Sequence, residues 1–380
     1  MNRRDFVAGG CAACGALLAP AIARAQDWSA PARFTRPDLT TDEGGLWSIM
    51  DREERQLRRS PFAVRDPQLH AYVQDIACRL AGDHCPDVRV HIVRTPIFNA
   101  NMAPNGMMQI WTGLLLRMEN EAQLAAVIGH EIGHYVERHT LERLRDVKAR
   151  VAFAQFLGAF GLIGAVAQIG VLASAMAYGR DQERAADRIG LALMRKAGYD
   201  TAEVPRMWGN LIAETNARPG GDPYNPLFAT HPAPAERQEA LAQMAAGQPG
   251  GSTHEEAWRD RIKPHLREWL LDEIRRGQHE EGIALMSRMI ERLPKSADYV
   301  YARAEIYRLR AKDGDLDAAL ADYEAAARIG GEPPETHRGL GLVHRTRKQA
   351  PEAKASFQRY LELAPNAPDG AMIKSYLEET

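Results

Sequence analysis

Cysteine is scarce in this sequence, with four in 380 residues. Two of these, Cys11 and Cys14, lie in an apolar N-terminal run, so no disulfide framework can hold the chain together. Cys78 and Cys85 remain. They are seven residues apart and either close a small loop or stay as two free thiols. An excess of one charge is also lacking. Lys and Arg number 48 against 50 Asp and Glu, a net charge of -2, so no global field awaits nucleic acid or an anionic membrane. Arg residues do cluster from Arg52 to Arg59, but Glu53 and Glu54 interrupt them, and the stretch reads as a solvated helix face. Beyond the N-terminus, residues 151–178 form a long run without a single charge. That run could cross a bilayer by length, yet Gly158, Gly161, Gly164 and Gly170 punctuate it and Gln155 and Gln168 lie inside. The favoured reading is a buried helix pair or apolar hairpin. The rivals are peripheral membrane contact and, last, a span.

What is present is the composition of a soluble globular protein, 45% hydrophobic and 26% charged, with length for two or three domains. Residues 1–25 read as a signal peptide. Arg3 and Arg4 precede an uncharged run from Phe6 to Ile22, and Ala23-Arg24-Ala25 fits a small-x-small cleavage site. Asn2-Arg3-Arg4-Asp5-Phe6-Val7 has the look of a twin-arginine signal, against the alternative of an ordinary secretory signal with two Arg. Either route implies export, with the periplasm as destination.

Helical character is expected over 41–59. Asp66-Pro67 starts a helix that should end at Gly82. Val88 to Arg94 alternates like a strand, and a second extended piece, 107–112, follows the turn signal Pro104-Asn105-Gly106. Residues 120–138 and 180–196 read as long helices. The clearest linker, Ala245 to Thr253, divides a domain at 26–246 from one at 255–380, with 247–254 between them. In the second domain Gly282, Met286, Met289 and Pro294 correspond to Ala319, Tyr323, Ala326 and Gly331, and these to Ala353, Phe357, Tyr360 and Pro365. The last two sets are 34 residues apart. The first two are offset by three more, as if by an insertion near Lys312 to Asp315. This pattern is similar to the tetratricopeptide repeat, with Gly341 at a small-residue position and 368–379 as a capping helix. An irregular helical domain is the alternative.

The chemistry sits in His130-Glu131-Ile132-Gly133-His134. On a helix His130 and His134 share a face and can bind one metal ion, with Glu131 beside them as a base. Leu124, Val127 and Ile128 make an apolar side, and Gly133 permits close approach of another backbone. Such a string also occurs by chance on solvated helices, so a third ligand decides. A metzincin would place Gly and His where this chain has Glu137 and Thr140. His139 is one position off, on the wrong face of a continuous helix, and is read as a surface residue. Downstream, Glu183 and Asp187 are four apart on one face. Glu183 can ligate zinc and Asp187 can hydrogen-bond a ligating His; the alternative is a solvated pair near Arg184 and Arg188.

HEIGH, the apolar insert, Glu183 to Asp187, and Thr230-His231-Pro232 with Arg237 together resemble the gluzincin metallopeptidase family of HtpX, the CAAX prenyl endopeptidases and periplasmic BepA. Residues 99–106 resemble that family's NAFALPGG hairpin, departing at Asn101, Met102, Ala103 and Asn105. The resemblance covers about 42–244, and the order of signal, peptidase and repeats is closest to the BepA branch. It implies a mainly α fold with a small β-sheet, a zincin-like domain followed by helical repeats. It also implies one Zn2+ on His130, His134 and Glu183, and Glu131 as general base. Asn105, Gly106, Met107 and Met108 would lead into the edge strand where an extended substrate pairs. His231 belongs to the family's active-site region and could steady an oxyanion, occupy zinc's open position, or be a loop His held by Pro232.

The expected function is a zinc metalloendopeptidase acting on polypeptide substrates, non-native or misassembled cell-envelope proteins. The repeats would recruit substrate or an envelope assembly partner. The alternative is a periplasmic chaperone or assembly factor whose repeats dominate and whose protease site is autoinhibited.

Overall fold

The structure, a computed structural model, describes residues 28–146, 178–218, 231, 234–246 and 250–379. The expected signal segment and the apolar run up to residue 177 lie outside these. Among the described residues no helix is long and apolar enough to cross a membrane.

Helix α1, Asp42–Arg59, is capped by the Thr41 hydroxyl, which accepts from the Gly44 N–H at 3.0 Å. Helix α2, Pro67–Ala81, starts where Asp66 accepts from the N–H groups of Gln68 and Leu69, and stops at Gly82. A disulfide joins Cys78 to Cys85 across a Cα separation of 4.5 Å, so the small loop, not the pair of free thiols, is what forms. Glu54 departs from the solvated reading of α1. It is buried and accepts from Arg89 and His91 on the neighbouring strand and from Arg58.

Three strands follow: β1 Arg89–Val93, β2 Ala100–Met102 and β3 Met107–Trp111. Their order is β1-β3-β2, with β1 parallel to β3 and β2 antiparallel to it. This corrects the expected substrate edge. Met107 and Met108 lie on the central strand, fully buried, opposite Arg89 and Val90 on one side, with Met108 opposite Met102 on the other. Asn105 and Gly106 form the turn before β3, closed by the bond from Gly106 N–H to the Ala103 carbonyl. At Gly106 φ is +87°, and a Cβ there would lie 2.0 Å from the Asp87 carbonyl oxygen, so glycine is required. The sequence signalled the turn correctly, but the three-residue strand before it was too short to show a period. Among the described residues that strand, β2, has no further strand beside it and is an edge of the sheet. Asn99 and Ala103 bond across to β3, so the backbone groups of Ala100 and Met102 alternate to the outer side.

Helices α3 Thr112–Arg117, α4 Glu121–Val136, α5 His139–Asp146, α6 Arg180–Lys196, α7 Glu203–Asn216 and α8 Pro234–Ala246 complete this part. All 16 residues of α4 are buried. Its closest approach to α6 is at small residues. A Cβ on Gly133 would come within 2.9 Å of Ala186, and one on Gly190 within 3.0 Å of the His130 nitrogen. The expected role of Gly133 is therefore observed.

The remaining described chain is helical: α9 Glu255–Ile262, α10 Leu266–Arg276, α11 His279–Arg292, α12 Ala297–Arg310, α13 Asp315–Ile329, α14 Glu335–Thr346, α15 Ala350–Leu363 and α16 Gly370–Glu379. α12 pairs with α13 and α14 with α15 as hairpins. The corresponding positions of the sequence repeat are buried in each unit: Gly282, Met286 and Met289; Ala319, Tyr323 and Ala326; Ala353, Phe357 and Tyr360. The offset of three is also explained. α12 has 14 residues against 12 in α14, and the turn 311–314 is one residue longer than 347–349. A Cβ on Gly341 would sit 2.4 Å from the Phe357 ring. Before α9 the chain is pinned rather than loose: Ser252 bonds both to the Gly198 carbonyl and to the Asp200 N–H, and the Thr253 carbonyl accepts from Ala122.

Candidate metal centre and active site

α4 and α6 each contribute one turn to the site. From α4, His130 and His134 present Nε2 atoms 3.0 Å apart. From α6, the Glu183 carboxylate lies 3.3 Å from His134 Nε2 and 3.6 Å from His130 Nε2. The close helix contact at Gly133 and Ala186 is what brings these turns together, because Glu183 precedes Ala186 by three residues and Asp187 follows it. His231 is the fourth member, with Nδ1 2.8 Å from Glu183 Oε1 and 3.2 Å from His130 Nε2. The four residues are buried and offer donor atoms all within 4.8 Å of one another.

The set fits zinc. Zinc takes imidazole and carboxylate donors at about 2.0–2.1 Å in a tetrahedron, which spaces neighbouring donors by about 3.4 Å. These separations of 2.8–3.6 Å bracket that value. Asp187 stands where the sequence placed it, with Oδ1 2.9 Å from His130 Nδ1.

Glu131 points into the same space. Its Oε1 has no hydrogen-bond partner among the described residues and lies 3.6 Å from His231 Nε2. Burial pushes the Glu131 carboxyl up to about 7, helped by the nearby Glu183 charge and opposed by His231, Arg237 and the nearby Met102 backbone. That is a poise suited to accepting and returning a proton near neutrality. For Glu183 burial also acts upward, but His231, Arg237 and His134 outweigh it, and the carboxyl is held far below the ordinary range. Asp187 is held at about 2, because Arg237 and His130 overcome the effect of burial. Burial lowers His130 and His134 toward the neutral imidazole that a metal requires. His231 goes the other way: burial acts to lower it, but Glu183 and Glu131 raise it.

Three residues gain roles that the sequence did not assign. Arg237, noted only as part of a pattern, is buried, forks onto Asp187 at 2.6 and 2.8 Å, and lies over the Trp208 ring at 4.4 Å. Tyr178 stacks on His134 with ring centroids 3.9 Å apart; a lone aromatic closing an apolar run carried no signal. His139 is a correction. It is 5% exposed, not a surface residue, and its Nδ1 lies 2.9 Å from His134 Nδ1. The face assignment assumed a continuous helix, whereas α4 ends at Val136 and Arg138 turns left-handed, with φ 57°. That turn carries His139 back to the buried side. Burial holds its imidazole below the ordinary range.

Comparison with known proteins agrees with this geometry. Residues 63–245 match peptidase family M48. The mitochondrial metalloendopeptidase OMA1 of Arabidopsis thaliana is 34% identical over 45% of this chain and 34% of its own length. The beta-barrel assembly-enhancing protease of Escherichia coli K12 is 29% identical over 58% of this chain and 47% of its own. That of Yersinia pestis is 26% identical over 90% of this chain and 79% of its own. Alignment thus spans about a third to a half of the length of the first two relatives. The segment that is similar to peptidase family M48 holds β1 to β3, α4 and α6 together with His231 and Arg237.

Proposed function

We propose that this protein is a zinc-dependent endopeptidase, and that His130, His134 and Glu183 hold the metal. The observation that carries the reading is the convergence of these three side chains, from two helices, beside a buried carboxylate with an unsatisfied oxygen. Zinc held there would act as a Lewis acid toward a peptide carbonyl and make a water more acidic. Glu131 takes a proton from the attacking water and returns it to the leaving amine, a task its raised pKa suits. Asp187 accepts from His130 Nδ1–H and fixes that ring. The outer edge of β2 supplies backbone partners for an extended substrate, with Ala100 and Met102 in place of the residues on β3. Main-chain pairing makes sequence selectivity loose. Digestion of casein by the wild type and Glu131→Gln, with zinc measured in both, tests this. A large loss in the variant is expected; equal activity overturns the assignment.

A second reading concerns the resting state. Structural zinc sites are closed by four protein ligands, whereas catalytic ones leave a position for water. His231 Nδ1 sits against Glu183 and His130 as a fourth donor. This favours a self-covered site, and among the roles open to His231 it favours the block. Casein hydrolysis by His231→Ala should rise above the wild type; a fall would assign His231 an aid to catalysis instead.

The relatives named as beta-barrel assembly-enhancing proteases support an envelope role. In that reading residues 1–25 direct export and are removed, and the chain carries its peptidase domain at 26–246. Residues 247–254 then connect to tetratricopeptide repeats at 255–380, which bring non-native envelope proteins or an assembly partner to the site. The 34-residue period and the buried small-then-large positions support the repeat assignment.

A further inference from the structure

We infer that His139 is a positioning residue for the metal centre: its Nδ1 accepts the proton on Nδ1 of His134 and locks that ring with Nε2 turned to the donor set. The inference rests on the zinc reading proposed above and concerns how this chain prepares one ligand.

His134 Nε2 faces His130 at 3.0 Å and Glu183 at 3.3 Å. If that nitrogen binds a cation, the single N–H of the neutral ring is on Nδ1. A buried N–H needs an acceptor, and among the described residues His134 Nδ1 finds it in His139 Nδ1, at 2.9 Å. Two observations show that the arrangement is built rather than incidental. First, Arg138 adopts φ 57° without being glycine, a conformation that costs energy and is found where the surroundings enforce it. It is held by an ion pair to Glu43 and by the Phe34 ring, 5.0 Å from its guanidinium. Second, Tyr178 covers the face of His134, and its hydroxyl lies 2.9 Å from Oγ1 of Thr140, the residue next to His139. One partner fixes the ring in its plane and the other fixes its face.

The two ligand rings are therefore supported differently. His130 Nδ1 meets a carboxylate, Asp187, and His134 Nδ1 meets an imidazole. His139 is not itself a ligand, because its contact is to the side of His134 turned away from the donors, and it is absent from the converging group of four.

The test is zinc affinity of the full chain, measured by chelator competition, for the wild type, His139→Leu and His139→Asn, with folding followed on the metal-free proteins. Asn keeps an acceptor and Leu has none. Leu is expected to weaken zinc binding by about 10–100-fold, the usual effect of losing such a partner, and Asn to recover at least about tenfold of it. Wild-type affinity in the Leu variant overturns the inference, and so does a loss in Asn as large as in Leu. Should Leu fail to fold, Asn against the wild type decides: binding within about tenfold supports the inference, and a loss beyond about 100-fold overturns it. A wild type that holds no zinc would overturn the metal reading and this inference with it. Zinc on the wild type and on the Leu variant alike would overturn this inference alone.

Discussion

α4 and α15 are helices of similar length with opposite logic. α4 buries all 16 of its residues, two histidines and two glutamates among them, whereas α15 buries only Ala353, Phe357 and Tyr360. α15 meets neighbours close in sequence, such as Ile373 and Leu342. α4 meets partners far along the chain: His130 contacts His231, 101 residues on. In the repeats, then, each helix pair closes much of its own core, and local spacing specifies the packing. In the catalytic part, polar groups from distant elements satisfy one another in a dry space, and each is costly to leave alone.

Arg117 breaks this comparison most severely. It is buried where the two parts meet, with Nε 2.7 Å from Glu214 and Nη2 2.9 Å from Glu273 on α10. Arg117→Ala removes the buried cation that both carboxylates share, leaving Glu214 to Arg288 and Glu273 to Arg276, and should cost at most about 3–5 kcal/mol. Chemical denaturation monitored separately in the two parts should show both destabilised; a loss confined to one would show that the parts are not coupled there.

Phe357→Ala is the contrast. The ring is fully buried against Gly341, and its removal should cost about 3–5 kcal/mol by leaving a cavity. The damage should stay in the last repeats. Hydrogen exchange is expected to quicken in α14 to α16 and to leave α4 protected, with zinc content unchanged. Exchange rising equally in α4 would contradict the local logic.

A smaller effect comes from Glu54. Burial acts to raise its carboxyl, but His91, Arg89 and Arg58 outweigh it, and its pKa falls well below the ordinary 4.5. A depressed carboxyl contributes stability above its unfolded pKa and loses it as pH falls through the folded one. Glu54→Gln should therefore be less stable than the wild type at pH 7. The difference should shrink below about pH 4.5, the start of carboxylate protonation in the unfolded chain. A difference constant from pH 7 to pH 3 would assign the effect to packing.

Local features were legible. Asp66 and Gly82 marked the ends of α2, Pro104-Asn105-Gly106 marked its turn, and the small-then-large spacing found buried positions of the C-terminal helices, because each depends on contacts within a few residues. HEIGH and Glu183 were also legible as donors, since helical spacing alone puts each pair on one face. The misses share a cause. His139 was misplaced because no glycine announced the left-handed turn at Arg138. The substrate edge was assigned to β3 because strand order is a non-local property, decided by β1 pairing with β3 across the chain.

The sequence by itself determined which groups can bind a metal, which carboxylate can move a proton and which positions recur in the C-terminal helices, since residue chemistry and period act locally. Only the tertiary structure decided that β2 is an edge of the sheet, that His231 closes the donor set, and that His139 and Tyr178 hold His134. Those outcomes depend on segments far apart in sequence being packed into one water-poor space, where every buried donor must find its acceptor.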